Sequence, residues 1–223
     1  MKLRAYLGLS ERQQNRLAWL MEVTMVGLFF IGLDRGNTGI IVNTAIGIAV
    51  AQLPPLLERD YGITMDPGLT LWLTSAVFLH ALGTVGVPGS TVNFYRSVWW
   101  WDHLTHALSS SVVAGAGYAT TRALDRHSES IYLPPKFMFV FLLMFVMAFG
   151  VFWEVIEFSL TLAAEAFGSD AVLTQYGLGD TMLDLVFDAA GATVVAIWGT
   201  AHLTDVVGIL TDSLDGRQSR KSE

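Results

Sequence analysis

The chain has 223 residues, of which 52% are hydrophobic and 15% charged, with a net charge of −7 and no cysteine. Soluble domains carry about a quarter charged residues, so this composition, with its positive mean hydropathy, points to a membrane protein and away from an ordinary soluble domain. The missing cysteine excludes disulfides, iron–sulfur clusters and thiolate zinc sites. No basic patch exists beyond the flanks of the apolar runs, which argues against nucleic-acid binding.

Residues 1–16 mix Leu3, Tyr6, Leu7 and Leu9 with Arg and Gln, the pattern of a short helix lying on the cytoplasmic membrane surface. Six apolar runs then approach or exceed the roughly 18–20 residues that cross the hydrocarbon as a helix. The first covers about residues 17–33. Basic residues precede it, but it is longer than a signal-peptide core, contains Glu22, and is followed by Asp34-Arg35-Gly36-Asn37 without a small-x-small cleavage pattern. It reads as a retained anchor. The second span covers about 38–57, and Pro54-Pro55 ends or kinks it near the cytoplasm. The third covers about 69–87, the fourth 99–119, the fifth 136–164 with its start set by Pro134-Pro135, and the sixth 178–200. Residues 17–202 are therefore one transmembrane domain, and residues 203–223 a cytoplasmic tail. The expected fold is an all-α, polytopic membrane helical bundle with six transmembrane helices.

Orientation follows from the basic residues. Lys2, Arg4, Arg12, Arg16, Arg59, Arg122, Arg126, Lys136, Arg217, Arg220 and Lys221 all fall on one side of a six-span arrangement, against only Arg35 and Arg96 on the other. The positive-inside bias then puts both termini in the cytoplasm of a plasma or inner-membrane protein.

Ionisable groups are costly inside lipid and rare there unless they serve a purpose. Four spans carry them. His80 lies in the third, Asp102 and His106 in the fourth, Glu154 and Glu157 in the fifth, Asp184 and Asp188 in the sixth. At 1.5 Å per residue, His80 falls about 10 Å below the outer surface and Asp184 and Asp188 about 9–15 Å, while Asp102 and His106 lie in the first two turns of their span and Glu154 and Glu157 in the outer third of theirs, so helices running in alternate directions bring them to one level. Residues three or four apart share a helix face, so each pair aims its side chains one way, and Asp180 extends the last row by a turn. Carboxylate-bridged metal centres in helical bundles use this device. Five carboxylates with no Lys or Arg in these spans are either largely protonated or bind cations. An oxygen-rich set with one or two imidazoles suits Mg, Mn, Fe or Zn.

The same residues carry a resemblance. Asp102-x-x-x-His106, Trp153-Glu154-Val155-Ile156-Glu157-Phe158, and Asp180 with Asp184-x-x-x-Asp188 and Gly191 resemble the YjdF family of uncharacterised inner-membrane proteins, as does His80 followed by Gly83. The similarity covers roughly residues 70–200. It extends more distantly to VanZ-like proteins, which share an acid-x-x-x-His helix and later acidic helices. The chain departs from the family pattern in having Trp153 before the first Glu and wider spacing in the last motif. The resemblance implies a polytopic membrane protein and supplies no activity.

Blander readings stand beside these. Buried carboxylates also glue helices together, and His80 alone fits a hydrogen-bonded core histidine as well as a ligand. His103 points about 100° away from Asp102 and reads as interfacial, while His127 and His202 read as solvated. Trp99, Trp100 and Trp101 read as an aromatic belt at the membrane interface. Arg96 is a candidate for binding substrate or lipid headgroups. The small residues Ser109, Ser110, Ser111, Ala114, Gly115 and Gly117, with Ala189, Ala190 and Gly191, read as a seam between the fourth and sixth spans. No HExxH or Gly-x-Ser-x-Gly motif is present.

Three functions remain open. The first is a divalent-metal-dependent hydrolase or transferase acting on a lipid-linked substrate, with Asp180 as candidate proton handler. The second is a divalent-cation or proton transporter, and the third a non-catalytic membrane scaffold. Membrane lipids are the expected partners.

Overall fold

The computed structural model describes residues 8–86, 92–169 and 171–219. Among these the chain is helical throughout, apart from turns and an isolated antiparallel bridge between Gly86 and Asn93. The expected third-span end at Val87, residues Leu3, Tyr6 and Leu7 of the expected surface helix, and Arg220 and Lys221 of the tail lie outside the described residues.

α1 (Glu11–Arg35) opens on a capping box. The Gln13 amide donates to the Ser10 hydroxyl, and the Gln13 side chain accepts from the Ser10 amide. Such reciprocal bonds satisfy N–H groups that a helix start leaves bare. The helix closes at Gly36, whose φ of +60° is left-handed and suits glycine. Asn37 at once caps α2 (Thr38–Ala51) by accepting from the Ile40 amide. α1 and α2 thus form a hairpin with a two-residue turn. The chain breaks at Gln52 and resumes as α3 (Leu53–Tyr61), with prolines in its first turn. The kink expected at Pro54-Pro55 is therefore present, at Gln52, within the turn preceding the two prolines, where their rings would clash with helical carbonyls.

α4 (Pro67–Gly83) is capped by Asp66, which accepts from the amides of Gly68 and Leu69. A one-turn helix, α5 (Phe94–Ser97), precedes α6 (Trp101–His127). α7 (Pro135–Phe167) starts behind the proline pair and stops at the left-handed Gly168. α8 (Leu178–His202) and α9 (Thr204–Ser219) complete the chain. α9 occupies the stretch expected as a tail. It folds back on α6, with Leu203 and Val207 buried in the main core, and the His127 ring is hydrogen-bonded to Asp215.

Two sub-bundles meet side by side. α1, α2 and α4 pack together around Met25, Ala51 and Ala81, and around Leu28, Ile40 and Val85. α6, α7, α8 and α9 enclose the larger core of Ala114, Tyr118, Leu142, Val146, Ala192 and Val195. α4 against α6 joins the halves. The outer faces are apolar, with Phe30, Ile46, Met144, Phe152, Val186 and Trp198 all exposed. A fold that buries small residues and exposes large apolar ones suits lipid rather than water.

Among the described residues, four helices are long and apolar enough to cross a membrane: Glu11–Arg35, the broken Thr38–Tyr61, Pro135–Phe167 and Leu178–Gly199. α4 is apolar but only 17 residues long. α6 is long enough, yet it carries Asp102, His103 and His106 at one end and Arg122, Asp125 and Arg126 at the other. The stretch between them is rich in small and hydroxyl residues, Ser109 to Ser111, Gly115, Gly117, Thr120 and Thr121, so composition rather than length keeps it outside the apolar class.

α6 and α8 are the most extensively packed pair. A Cβ on Gly191 would overlap the Ala107 carbonyl oxygen and the Ser110 hydroxyl, so glycine there permits backbone contact. The expected seam is present at these residues. Gly115 and Gly117 do not belong to it: their faces receive Trp72 of α4 and Phe145 of α7, respectively. Gly191→Ala is expected to lower unfolding stability in detergent by about 1–3 kcal/mol through overpacking. Gly27→Ala, where nothing lies within 4 Å of the added carbon, is expected not to lower it.

Candidate metal centre

The α6–α8 contact carries the acidic helix ends across from one another. Asp102 and His106 occupy the first turns of α6, and Asp184 and Asp188 face them from α8. Asp102, His106 and Asp184 each present one donor atom within 4.8 Å of the other two. His106 Nε2 lies 3.6 Å from Asp102 Oδ1, and its Nδ1 lies 3.3 Å from Asp188 Oδ1. The two nitrogens therefore have different partners. In the neutral tautomer whose Nδ1–H donates to Asp188, the Nε2 lone pair points toward Asp102. A carboxylate on the far nitrogen is the usual means of fixing a ligating histidine's tautomer and orientation. The Asp188 carboxylate in turn rests on Gly150 of α7, where any Cβ would overlap it.

α7 adds the remaining acids. Glu154 and Glu157 are both buried and lie close enough to Asp102 for the charges to interact. Glu157 Oε1 accepts from the Trp153 indole at 3.0 Å. Glu154 is 4% exposed and both its oxygens lack a hydrogen-bond partner; Asp184 is 1% exposed and its Oδ2 also lacks one. Buried polar groups are nearly always satisfied. Three orphaned carboxylate oxygens beside an imidazole lone pair form a donor set of the kind that divalent cations take. The residues fit a metal ion on that count.

His103 is the residue that the sequence reading misplaced. Its Nδ1 lies 3.4 Å from Asp184 Oδ1, and its ring stacks on Phe187 at 4.7 Å. It precedes His106 by three residues, a spacing that already puts both on the α8 side of the helix. Judging it against Asp102 alone hid this.

His80 is placed differently from the other candidates. Asn43 Nδ2 donates to the carbonyls of Gly39 and Val172, at 2.8 and 2.9 Å, which turns Asn43 Oδ1 toward His80 Nε2 at 3.1 Å. Nε2 must then carry the proton, and the Tyr95 hydroxyl, 2.9 Å from Nδ1 and 3.1 Å from the His80 carbonyl, shares its proton between the two acceptors. Burial and the charge of Asp102 raise the Tyr95 phenol well above its ordinary range, so it stays a donor. With both nitrogens engaged, His80 has no lone pair left for a metal in this arrangement. Gly83 makes the chain reachable, since a Cβ there would collide with the Tyr95 ring.

Above the cluster lies a polar cavity of about 450 Å³ with Asp102 and Glu157 in its walls. Arg96 lines it and sits over the Tyr176 ring at 5.4 Å. Asp180, in the first turn of α8, accepts from the Tyr176 amide at 2.9 Å. Of the three consecutive tryptophans, Trp99 is 82% exposed as a belt residue would be. Trp101 is 9% exposed, stacks on Phe94 and donates to the Leu79 carbonyl, so it belongs to the core.

The fold and cluster define an all-helical membrane protein with an acid-and-imidazole centre gathered at one end of the bundle. Residues 16–205 match a family described as a predicted membrane protein family (DUF2238), and the chain belongs to it. It is 35% identical over 130 residues to an uncharacterised protein of Thermotoga maritima, a match covering 56% of this chain and 58% of that one. The chain thus spans under two thirds of that relative's length. No solved structure matches. None of these findings bears on a kinship with VanZ-like proteins.

The Asn43–His80–Tyr95 chain generates a stability prediction. Asn43→Ala strands a buried imidazole N–H and is expected to cost about 1–3 kcal/mol, read as a lower unfolding midpoint in detergent. An unchanged midpoint would mean that the chain contributes nothing.

Proposed function

We propose that this YjdF-like protein is a six-span membrane enzyme, with both termini in the cytoplasm of a plasma or inner membrane. Its centre holds a divalent cation below the outer leaflet and acts on a lipid-linked substrate. The observation that carries the reading is the group Asp102, His106 and Asp184, whose donor atoms lie within 4.8 Å of one another, together with unpartnered, buried carboxylate oxygens on Asp184 and on Glu154 nearby. Asp102, His106 and Asp184 are the core ligands in this reading, and Glu154 completes the set. Asp188 and Glu157 hold the shell: Asp188 orients His106, and Trp153 orients Glu157. His80 stands outside it.

A divalent ion, when bound, supplies Lewis acidity to an oxygen of the substrate. The chain's residues do the rest. Glu154, with no hydrogen bond competing for it, binds. Asp180 holds the amide of Tyr176, which lines the cavity, through one oxygen, and its other oxygen handles the proton. In a hydrolysis, one bond from water oxygen to the substrate forms and one bond to the leaving oxygen breaks. The proton that Asp180 takes from water ends on that leaving oxygen. Arg96 holds the polar part of the substrate.

Transport remains the second reading, because carboxylate clusters mark ion paths. The polar line is interrupted below the cluster. Asn43 is committed to His80 and Val172, Ser75 approaches only the Met21 sulfur, and the cleft beneath is walled largely by apolar residues. That interruption favours the enzyme.

Elemental analysis of detergent-purified protein after dialysis is expected to show stoichiometric divalent metal. Asp184→Asn is expected to lose it, and His80→Gln to keep it. Removing a ligand or its orienting partner commonly weakens metal binding about 10–100-fold. Wild-type protein free of metal after incubation with Mg, Mn, Fe and Zn salts would contradict the proposal.

A further inference from the structure

Two cavities reach the acidic cluster from different sides. The polar one, of about 450 Å³, contains Arg35 from the end of α1 and Arg96 from α5, with Asp102, Glu157 and Glu165 in the same walls. Arg35 and Arg96 are the two basic residues that the six-span reading assigns to this side of the membrane. Helices far apart in sequence bring both to one pocket. The second cavity, of about 350 Å³, lies between α2 and α7 and is floored by α4 and α6. Most of its wall is apolar, from Ile46, Val50, Val77, Val113, Val146 and Phe149, and polar groups (Asn43, Thr105, Ser109 and Ser110) join His106 and Asp188 in the rest of the lining. Ile46 and Phe149 at its rim are half exposed on the apolar face, so the cleft opens sideways from the bundle. His80 lines both cavities, and its bonds to Asn43 and Tyr95 make the partition between them.

The charges in the polar cavity select its occupant. Two guanidinium groups face three carboxylates there, so an anion entering an ion-free site meets net repulsion. A bound divalent cation reverses that sign. The ligand must then satisfy a cation and two arginines at once. A carboxylate has two oxygens, whereas a phosphate monoester carries three acceptor oxygens and nearly two charges, and arginine forks match phosphate geometry. The cleft supplies the other half of the recognition. It continues from the ligand cluster to the apolar surface, and an alkyl chain there loses no hydrogen bonds and needs no partner.

We infer that the polar cavity and the α2–α7 cleft are the head and tail sites of one phosphate-headed lipid. Its phosphate lies between Arg35, Arg96 and the divalent cation, and its chain lies in the cleft. This deepens the enzymatic reading and rests on its metal site.

The test uses wild-type protein in dodecyl maltoside, with and without Mn2+, and three probes: dodecyl phosphate, dodecanol and inorganic phosphate. Bound Mn2+ is measured on the same samples, and probe affinity is read from tryptophan fluorescence. Dodecyl phosphate is expected to bind at least about tenfold more tightly than either other probe, and only with Mn2+ present. The paired change Arg35→Gln with Arg96→Gln is expected to weaken dodecyl phosphate roughly tenfold or more and to leave bound Mn2+ unchanged. Ile46→Trp, at the exposed rim of the cleft, is expected to weaken dodecyl phosphate and spare inorganic phosphate. Equal binding of dodecanol and dodecyl phosphate by wild type would overturn the head site. Equal binding of inorganic and dodecyl phosphate would overturn the tail site and leave free phosphate as the ligand. Protein that takes up no Mn2+ overturns this inference together with the metal reading, whereas protein that takes it up without discriminating among the probes overturns this inference alone.

Discussion

At Gly191 the α6 and α8 backbones come so close that the Ala107 carbonyl and the Ser110 hydroxyl occupy the place of a side chain. Lipid offers no hydrophobic reward for packing two apolar helices, so their association rests on close van der Waals contact between small residues. The consequence reaches beyond the seam. Asp188 and Asp184 lie about one and two turns before Gly191 on α8, and His106 lies beside Ala107 on α6. Backbone contact at one level therefore forces charged side chains together at the next. Glycine recurs where the cluster needs room: Gly150 admits the Asp188 carboxylate, and Gly83 admits Tyr95 to His80.

That enforced proximity has an electrostatic cost. No Lys or Arg occurs between residues 137 and 216, so Glu154, Glu157, Asp184 and Asp188 reach the cluster with no cation near them on their own helices; Lys136 stands at the far end of α7. Hydrogen bonds relieve some of this, through Trp153 to Glu157 and His106 to Asp188. Glu154 and one oxygen of Asp184 are left without relief. A purely structural glue would pair such groups with each other or with hydroxyls, as Asn43, His80 and Tyr95 are paired a few ångströms away. The contrast between a fully satisfied neutral chain and an adjacent unsatisfied acidic one is what sets the proposed centre apart from structural glue.

Much of this was legible in the residues. Helix type, the position of the major helices and the convergence of Asp102, His106, Asp184 and Asp188 all follow from apolar length and from the three- and four-residue spacings. Three things were harder to read. α9 has no long apolar run, only Leu203, Val207, Leu210 and Leu214 at helical intervals, so it looked like a tail. His80 carries the same side chain as His106, and only the spatial partners of its two nitrogens distinguish a core histidine from a ligand. Trp101 differs from Trp99 by two residues along the chain. That places it on the opposite side of a helix start, where it meets Leu79 instead of the surface. Each of these outcomes depends on contacts between segments distant in sequence, which periodicity along one segment does not encode.

The central claim is that one imidazole and the facing carboxylates enclose a cation, while the neighbouring imidazole does not. Pulsed electron paramagnetic resonance on Mn2+-loaded protein tests it most directly. A single directly coordinated 14N is predicted, present in wild type and in His80→Gln and absent in His106→Gln. A nitrogen coupling that survives His106→Gln, or a spectrum of fully hydrated Mn2+ in wild type, would contradict the account.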